Sequence, residues 1–77
     1  MITIYTTDNC SFCKAAKDKL LQNNIEYLEI NLNTSEKKEE FKKTTGFKTV
    51  PQIYDYNNNH IGGYDELVSY LQGEKYG

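Results

Sequence analysis

The feature that most constrains the fold is a pair of cysteines placed between a strand pattern and a helix pattern. Residues 6 to 17 read T-T-D-N-C-S-F-C-K-A-A-K, and they hold both cysteines of the chain, Cys10 and Cys13. Before them, Ile2 and Ile4 alternate with less apolar residues, which predicts a strand. After them, apolar side chains recur at helical spacing. A C-x-x-C pair at such a junction indicates thiol chemistry at the start of a helix.

The first half of the chain predicts a strand, a helix and a second strand. Asp8 or Asn9 is expected to cap the helix, which covers about residues 11–23. Residues 27–32 alternate again, and the apolar side chains on one side of this second strand are those of Leu28, Ile30 and Leu32. Because a strand–helix–strand unit forms a right-handed crossover, the two strands should run parallel.

A charged helix is predicted after the second strand. Thr34 or Ser35 is expected to cap it, and Gly46 should end it. Phe41 is almost its only large apolar residue, and most of its other side chains are lysine or glutamate. A helix with one apolar anchor has little surface to bury, so this one is predicted to lie shallowly on the protein surface.

The chain ends in a predicted hairpin and a last helix. Residues 52–56 predict a third strand, residues 57–59 a turn of three asparagines, and residues 60–61 a short fourth strand. The last helix is predicted from the apolar spacing of Leu67, Val68 and Leu71. A polar tail is expected to fray after Gly73. The predicted fold class is α/β, in the order β-α-β-α-β-β-α, within a single domain over residues 1–77.

Composition excludes several classes of function. The chain has 77 residues, a net charge of −2 and nine basic residues, all of them lysine. With no concentrated basic face, nucleic acid is not an expected partner. The start of the chain alternates and then turns polar, which predicts neither a signal peptide nor a membrane span. Two cysteines in such a chain favour the cytoplasm, where we expect it to act as a monomer.

Three kinds of site use a C-x-x-C pair. A structural zinc site needs four ligands, and beyond the two cysteines the chain offers His60 as its sole histidine. A structural disulfide here would close too short a loop to restrict the unfolded chain. Redox exchange fits better, because Cys10 lies at a predicted helix N-terminus, where unpaired N–H groups favour a thiolate. Cys13, one turn along, is placed to attack a mixed disulfide formed at Cys10.

Two further stretches each allow two interpretations. Pro51, which ends T-V-P just before a strand, suits a cis bond that leaves the preceding backbone free to pair, or it is an ordinary strand-entry proline. Residues 62–65, G-G-Y-D, place glycine backbone at a helix N-terminus. That arrangement suits an anion site, or it is the plain end of a hairpin.

The three marked stretches together resemble a known family. C-S-F-C, T-V-P-Q-I and I-G-G-Y-D-E-L, in this order and spacing, are similar to those of the glutaredoxin family. The resemblance covers nearly the whole chain, and T-V-P followed by G-G-x-D is far more specific than C-x-x-C alone. It implies a thioredoxin-like fold, in which a mixed four-stranded sheet is flanked by three helices. It also implies an enzyme that reduces protein disulfides or glutathione mixed disulfides and is recycled by glutathione.

The resemblance implies a role for each matching residue. Cys10 would be the catalytic nucleophile and Cys13 the resolving thiol. The residues that would bind glutathione are Phe12, Lys38, Thr49, Val50, Pro51, Gly63, Tyr64 and Asp65. Residues 49–51 would pair with the cysteine of glutathione, residues 63–65 would hold its γ-glutamyl end, and Lys38 would meet its glycine carboxylate.

Two positions depart from the family pattern and leave alternatives open. Thr7 stands where the family often has a lysine, which removes one contact for glutathione. Ser11 replaces the usual proline of C-P-Y-C, and in some members this change accompanies a glutathione-ligated [2Fe–2S] cluster, for which Cys10 would be a ligand. A non-enzymatic iron–sulfur carrier is thus one alternative. The other is an electron donor to ribonucleotide reductase that is recharged by thioredoxin reductase, against which T-V-P and G-G-Y-D-E-L argue.

Overall fold

The computed structural model describes residues 1–73, which form strands and helices in the predicted order. The elements are β1 (Ile2–Thr6), α1 (Ser11–Gln22), β2 (Tyr27–Asn31), α2 (Ser35–Thr45), β3 (Gln52–Tyr54), β4 (His60–Gly62) and α3 (Tyr64–Gln72). The predicted α/β order is confirmed, while the expected fraying tail after Gly73 lies outside the described residues. Among the described helices, none is both long and apolar enough to cross a membrane.

The strands of residues 1–73 form one mixed sheet, in the order β2-β1-β3-β4. β1 is parallel to β2 and antiparallel to β3, and β3 is antiparallel to β4. The register pairs Tyr5 with Gln52. Because Cys10 follows β1 and Pro51 precedes β3, this register brings the two predicted site segments to the same end of the sheet.

The two faces of the sheet are covered by different helices. Ile4 and Tyr5 are neighbours on β1, so their side chains point to opposite faces. Ile4 belongs to the buried core together with Ala16 of α1 and Leu67 of α3. Tyr5 contacts Phe41 of α2, with ring centroids 4.6 Å apart. α1 and α3 therefore cover one face, and α2 covers the other through Phe41, as its single apolar anchor predicts.

The charged helix α2 has the predicted ends. Thr34 is its N-cap, and its Oγ1 accepts a hydrogen bond from the N–H of Lys37 at 3.1 Å. Gly46 is its C-cap, with a left-handed backbone at φ 81°, and its N–H donates to the Lys42 carbonyl oxygen at 2.7 Å. Glycine adopts this conformation without the Cβ clash of other residues, which is why the helix ends there.

Aromatic rings on the α2 side of the sheet form a closed circuit. Neighbouring rings have centroids 4.4 to 6.5 Å apart, and they run in the order Tyr5, Phe41, Phe47, His60, Tyr54 and back to Tyr5. Ring pairs at such spacings are stabilised beyond their burial alone. The circuit joins all the strands except β2 to α2 and to Phe47, and it therefore holds the start of the segment that leads to Pro51.

The third strand is shorter than predicted. It covers Gln52–Tyr54 rather than residues 52–56. Asp55 ends it, because the Asp55 Oδ1 accepts hydrogen bonds from the N–H groups of Asn57 and Asn59 at 2.9 and 2.8 Å. A side-chain acceptor of this kind offers the backbone a turn in place of a ladder, so the hairpin turn begins two residues earlier than the alternation suggests.

Candidate active site

Cys10 lies at the N-cap of α1, and its sulfur faces the first turn of the helix. The Cys10 backbone is extended, at φ −128° and ψ 106°, and Sγ accepts a hydrogen bond from the N–H of Cys13 at 3.1 Å. The prediction that Asp8 or Asn9 caps this helix is wrong, because the helix starts at Ser11 and sulfur takes the place of the usual cap oxygen. N–H groups at a helix start stabilise negative charge, so a Cys10 thiolate would keep this hydrogen bond.

The second neighbour of the Cys10 sulfur is the backbone just before Pro51. The Cys10 thiol donates a hydrogen bond to the Val50 carbonyl oxygen, with 3.7 Å between sulfur and oxygen. The peptide bond between Val50 and Pro51 is cis, which is one of the two interpretations that the sequence left open. The reactive sulfur therefore lies against an irregular stretch of backbone, and a chain bound along that stretch would meet it.

Cys13 differs from Cys10 in burial and in acidity. Cys10 is partly exposed, whereas Cys13 is 1% exposed, and both thiols are free. Burial raises the pKa of the Cys13 thiol to about 12, with the nearby Cys10 sulfur acting in the same direction. A hydrogen bond from the backbone of Thr7 and the charge of Lys17 lower this pKa, but they do not compensate for burial. At neutral pH Cys13 is therefore a protonated thiol behind Cys10.

Iodoacetamide should therefore label Cys10 long before Cys13 at neutral pH. The reagent reacts with thiolate, and Cys13 keeps its proton until the pH approaches about 12. Mass spectrometry of samples quenched at successive times measures the two sites separately. In a Cys10→Ser variant, labelling of Cys13 should rise steadily as the pH is raised. Equal labelling rates for the two cysteines at neutral pH would contradict this order.

A buried-to-surface network lies beside Cys13. Lys17 Nζ and Thr6 Oγ1 both donate to Glu29 Oε2, at 3.0 and 2.6 Å. The hydrogen bond from Thr6 and then that from Lys17 lower the pKa of the Glu29 carboxyl, and the same pairing raises the pKa of Lys17. Lys17 is thus held as a cation one helical turn from Cys13. The helical spacing of Cys13 and Lys17 was visible in the sequence, but the pairing across to β2 was not.

Two neighbouring cavities share part of their lining, and together we call them the groove. One end, which we call the lysine cavity, has a volume of about 380 Å³ and is bordered by residues that include Lys38, Lys42, Lys48, Phe41, Thr49 and Val50. The other end, which we call the α3 cavity, has a volume of about 510 Å³ and is bordered by residues that include Phe12, Val50, Pro51, Gly63, Tyr64 and Asp65. Phe47, Thr49 and Val50 border both cavities, and the carbonyl oxygen of Val50 lies 3.7 Å from the Cys10 sulfur.

The structure brings the predicted site residues together along this groove. Lys38 borders the lysine cavity, and Thr7, which replaces the family lysine, borders it as well. The ring of Phe12 lies 6.0 Å from that of Tyr64 and forms part of the wall of the α3 cavity. Residues 1–73 contain no group of three or more His, Cys, Asp or Glu side chains that could hold a metal ion.

The N-terminus of α3 differs in one detail from expectation. Gly63 was predicted to offer its N–H to a ligand, but this N–H donates to Glu66 Oε1 at 2.8 Å. Glu66 thereby makes the carboxylate half of a capping box, and Gly63 has no side chain to make the other half. The first residues of a helix have no intrahelical acceptor for their N–H groups, which leaves those of Tyr64 and Asp65 without one at the border of the α3 cavity.

A side-chain link behind the groove was missed at the sequence level. Gln52 Nε2 donates to the carbonyl oxygen and to Oγ1 of Thr49, at 3.1 and 3.2 Å, and Gln52 is buried. Gln52 Oε1 lies 2.7 Å from His60 Nε2, which must donate because an amide oxygen only accepts. The link holds Thr49 from behind. Its only signal in the sequence is one polar residue within T-V-P-Q-I-Y.

Comparison with known proteins identifies the family. The model of the family described as Glutaredoxin matches residues 2–61, which include both cysteines and the cis-proline segment. The chain belongs to the glutaredoxin family. The expected family and its thioredoxin-like fold are thereby confirmed, and with its C-x-x-C pair the chain is a thiol–disulfide oxidoreductase.

Relatives agree in sequence and in fold. Glutaredoxin 1 of Rickettsia felis is 48% identical over 69 residues, which is 86% of this chain and 67% of the relative. Glutaredoxin 3 of Escherichia coli K12 is 37% identical over 69 residues, covering 88% and 82% of the two chains. The crystal structure of glutaredoxin 1 from Francisella tularensis has a TM-score of 0.80 at 29% identity, covering 91% of this chain and 90% of that one.

Proposed function

We propose that this thiol–disulfide oxidoreductase depends on glutathione and reduces protein disulfides and glutathione mixed disulfides. The observation that carries the proposal is the contact of the Cys10 sulfur with the Val50 carbonyl oxygen, because Val50 borders both cavities of the groove and the two cavities differ in charge. One end carries lysines, and the other combines a helix N-terminus with the Asp65 carboxylate. Glutathione has the same asymmetry, because one end is a simple carboxylate and the other carries both an ammonium and a carboxylate.

The fit of glutathione to the groove follows from this charge pattern. Its glycine carboxylate would lie near Lys38 in the lysine cavity. Its γ-glutamyl carboxylate would accept from the N–H groups of Tyr64 and Asp65, as anions do at helix starts. Its ammonium would pair with the Asp65 side chain. The cysteine portion would then lie along Thr49 and Val50, with its sulfur at Cys10.

The proposed reaction is a pair of thiol–disulfide exchanges. The Cys10 thiolate attacks one sulfur of the substrate disulfide, a new S–S bond forms at Cys10, and the leaving thiolate takes the electron pair of the old bond and a proton. With a glutathione mixed disulfide, a second glutathione thiolate then frees Cys10 and forms glutathione disulfide. With a protein disulfide, the Cys13 sulfur attacks the Cys10 sulfur instead. The departing protein thiolate takes the electron pair of the mixed disulfide and the proton that Cys13 gives up, and Cys10 and Cys13 are left joined.

A comparison of two electron sources tests the proposal. Reduction of a mixed disulfide should proceed with glutathione and glutathione reductase, and fail with thioredoxin reductase alone. The reverse result would favour the ribonucleotide reductase donor, which stays a prediction, as does a cytoplasmic location. The [2Fe–2S] carrier also stays a prediction, because Cys10 is the one ligand that each chain would supply and Ser11 remains its only support.

Asp65→Ala should raise the KM for glutathione mixed disulfides without a large change in kcat. Loss of a hydrogen-bonded charged contact costs about 1.5–3 kcal/mol. Lys38→Ala should act in the same direction but less, since an exposed ammonium contributes only ~0–1 kcal/mol. Steady-state kinetics with varied mixed disulfide measure both variants.

Asp18→Ala is the matched control for this pair. It removes the same charge from an exposed position on α1, away from the groove residues, and should leave KM unchanged. If Asp65→Ala behaved like Asp18→Ala, the γ-glutamyl end of glutathione would not lie at the start of α3.

A further inference from the structure

The lysine cavity carries more positive charge than glutathione uses. Lys38, Lys42 and Lys48 border it, against one acidic residue, Glu39. The three lysines are exposed. None of them takes part in the ion pair found among residues 1–73, which joins Lys17 to Glu29. A glycine carboxylate supplies one negative charge, so the cavity has unpaired positive charge when glutathione fills it as proposed.

The three lysines, which together we call the lysine rim, border the cavity from two segments of the chain. Lys38 and Lys42 are four residues apart on α2 and therefore lie on the same helix face. Lys48 lies outside α2, in the segment that leads to Pro51. It directly precedes Thr49, which borders both cavities of the groove. The cavity floor is apolar and includes Leu32 and Phe41. An extended peptide with acidic side chains could lie over this apolar surface while its carboxylates reach the ammonium groups of the three lysines.

We propose that the lysine cavity binds acidic side chains that follow the reactive cysteine in a protein substrate. This inference rests on the proposed function, because it assumes that a substrate occupies the groove in the direction given for glutathione. In that direction the group before the cysteine lies in the α3 cavity, and the residue after it enters the lysine cavity. A polypeptide substrate would extend its next residues past Lys42 and Lys48.

Charge also argues against the opposite direction. The α3 cavity is bordered by Asp65 and Glu66, which would repel acidic side chains that lie beyond the reach of the helix N–H groups. Acidic residues before the cysteine should thus add little to substrate binding, whereas acidic residues after it should strengthen binding through attraction to the lysine rim. The expected substrate is therefore a segment in which Asp or Glu follows the cysteine closely.

Two peptides of identical composition test this directly. In one, an aspartate and a glutamate follow the cysteine after one glycine, and in the other the same two residues precede it. Each peptide carries thionitrobenzoate in a mixed disulfide. In a Cys13→Ser background, the Cys10 thiolate attacks the peptide sulfur, and the yellow thionitrobenzoate leaves with the electron pair because its thiol is the more acidic. The second-order rate constant is the readout.

The peptide with acidic residues after the cysteine should react about tenfold faster at low ionic strength. A factor of about ten is the lower end of the range by which electrostatic steering raises association rates. The advantage should shrink as salt is added, because the lysines are exposed and are screened. Equal rate constants for the two peptides, or a preference that ignores salt, would overturn the proposal.

Charge reversal then locates the effect. Lys42→Glu and Lys48→Glu should each reduce the ratio between the two peptides towards one. Lys43→Glu is the matched control: it makes the same change on the same helix, at a residue that does not border the cavity, and it should keep the ratio. Loss of the ratio in all of these variants would show a general charge effect and overturn the site.

Glutathione turnover, measured in parallel, separates the two proposals. The chain with both cysteines is assayed on a glutathione mixed disulfide with glutathione and glutathione reductase. Normal turnover with equal peptide rate constants would reject the acidic-segment site alone. Absence of glutathione turnover would reject the proposed function, and a peptide preference that persisted would then show that the lysine cavity serves another thiol exchange.

Discussion

Replacing Cys10 by serine should reduce exchange with every disulfide substrate to the level of the uncatalysed reaction. A serine hydroxyl at the N-cap keeps the hydrogen bond to the N–H of Cys13, so the helix should remain capped and the fold intact. What disappears is the nucleophile, because Cys13 is buried and its pKa is raised to about 12. Coupled assays on a glutathione mixed disulfide and on a protein disulfide measure the loss.

Cys13→Ser is the matched variant, and it should affect the activity on the two substrates differently. Exchange with a glutathione mixed disulfide needs only the attacking thiol, so this activity should continue. Reduction of protein disulfides needs the resolving thiol, so it should be largely lost, and the substrate should accumulate as a mixed disulfide on Cys10. Equal losses on both substrates in the two variants would contradict the assignment of attacker and resolver.

Gly62→Ala should lower the free energy of unfolding by about 2–4 kcal/mol, since it combines backbone strain with overlap. Gly62 has φ 133°, which alanine avoids, and an added Cβ would lie 2.6 Å from Cβ and Cγ of Glu66. Moving Glu66 would break its hydrogen bond to the N–H of Gly63 and shift the start of α3. Urea unfolding followed by circular dichroism measures the stability.

Gly46→Ala provides the comparison for backbone strain alone. Gly46 has φ 81°, but nothing lies within 4 Å of an added Cβ. A residue other than glycine in this left-handed conformation costs about 1–2 kcal/mol. The Gly62 variant should therefore lose clearly more stability, and it should also lose turnover with glutathione mixed disulfides. Similar losses in the two variants would mean that Glu66 moves aside freely.

The fold was predictable because its local signals agree with one another. Strand alternation around Ile4, the cap at Thr34 and the stop at Gly46 each depend on a few neighbouring residues, and each is present as expected. The cap of α1 was not predictable in the same way. Asp8 and Asn9 are better cap residues by type, but the helix starts at Ser11, and the residue directly before it is a cysteine.

The residues of the site were visible in the sequence, but their support was not. Each of the motifs C-S-F-C, T-V-P and G-G-Y-D can be recognised from its residue types and their spacing. The link from His60 through Gln52 to Thr49 depends on how two strands pair across a turn, and that register is shifted by an irregularity near Tyr54. The diversion of the Gly63 N–H to Glu66 depends on one rotamer. Neither follows from propensity or periodicity.

The single apolar anchor of α2 has a consequence for motion. Of the α2 residues, all of which the structure describes, Phe41 alone is buried, so this helix should open locally at a much lower free energy than the central strand β1. Amide hydrogens of α2 should exchange with solvent through such openings while the thiol pair stays in place. The groove would thus be rigid beside the thiol pair and mobile along α2. A polyanion bound to the lysines of α2 would slow hydrogen exchange in this helix by holding it against the sheet.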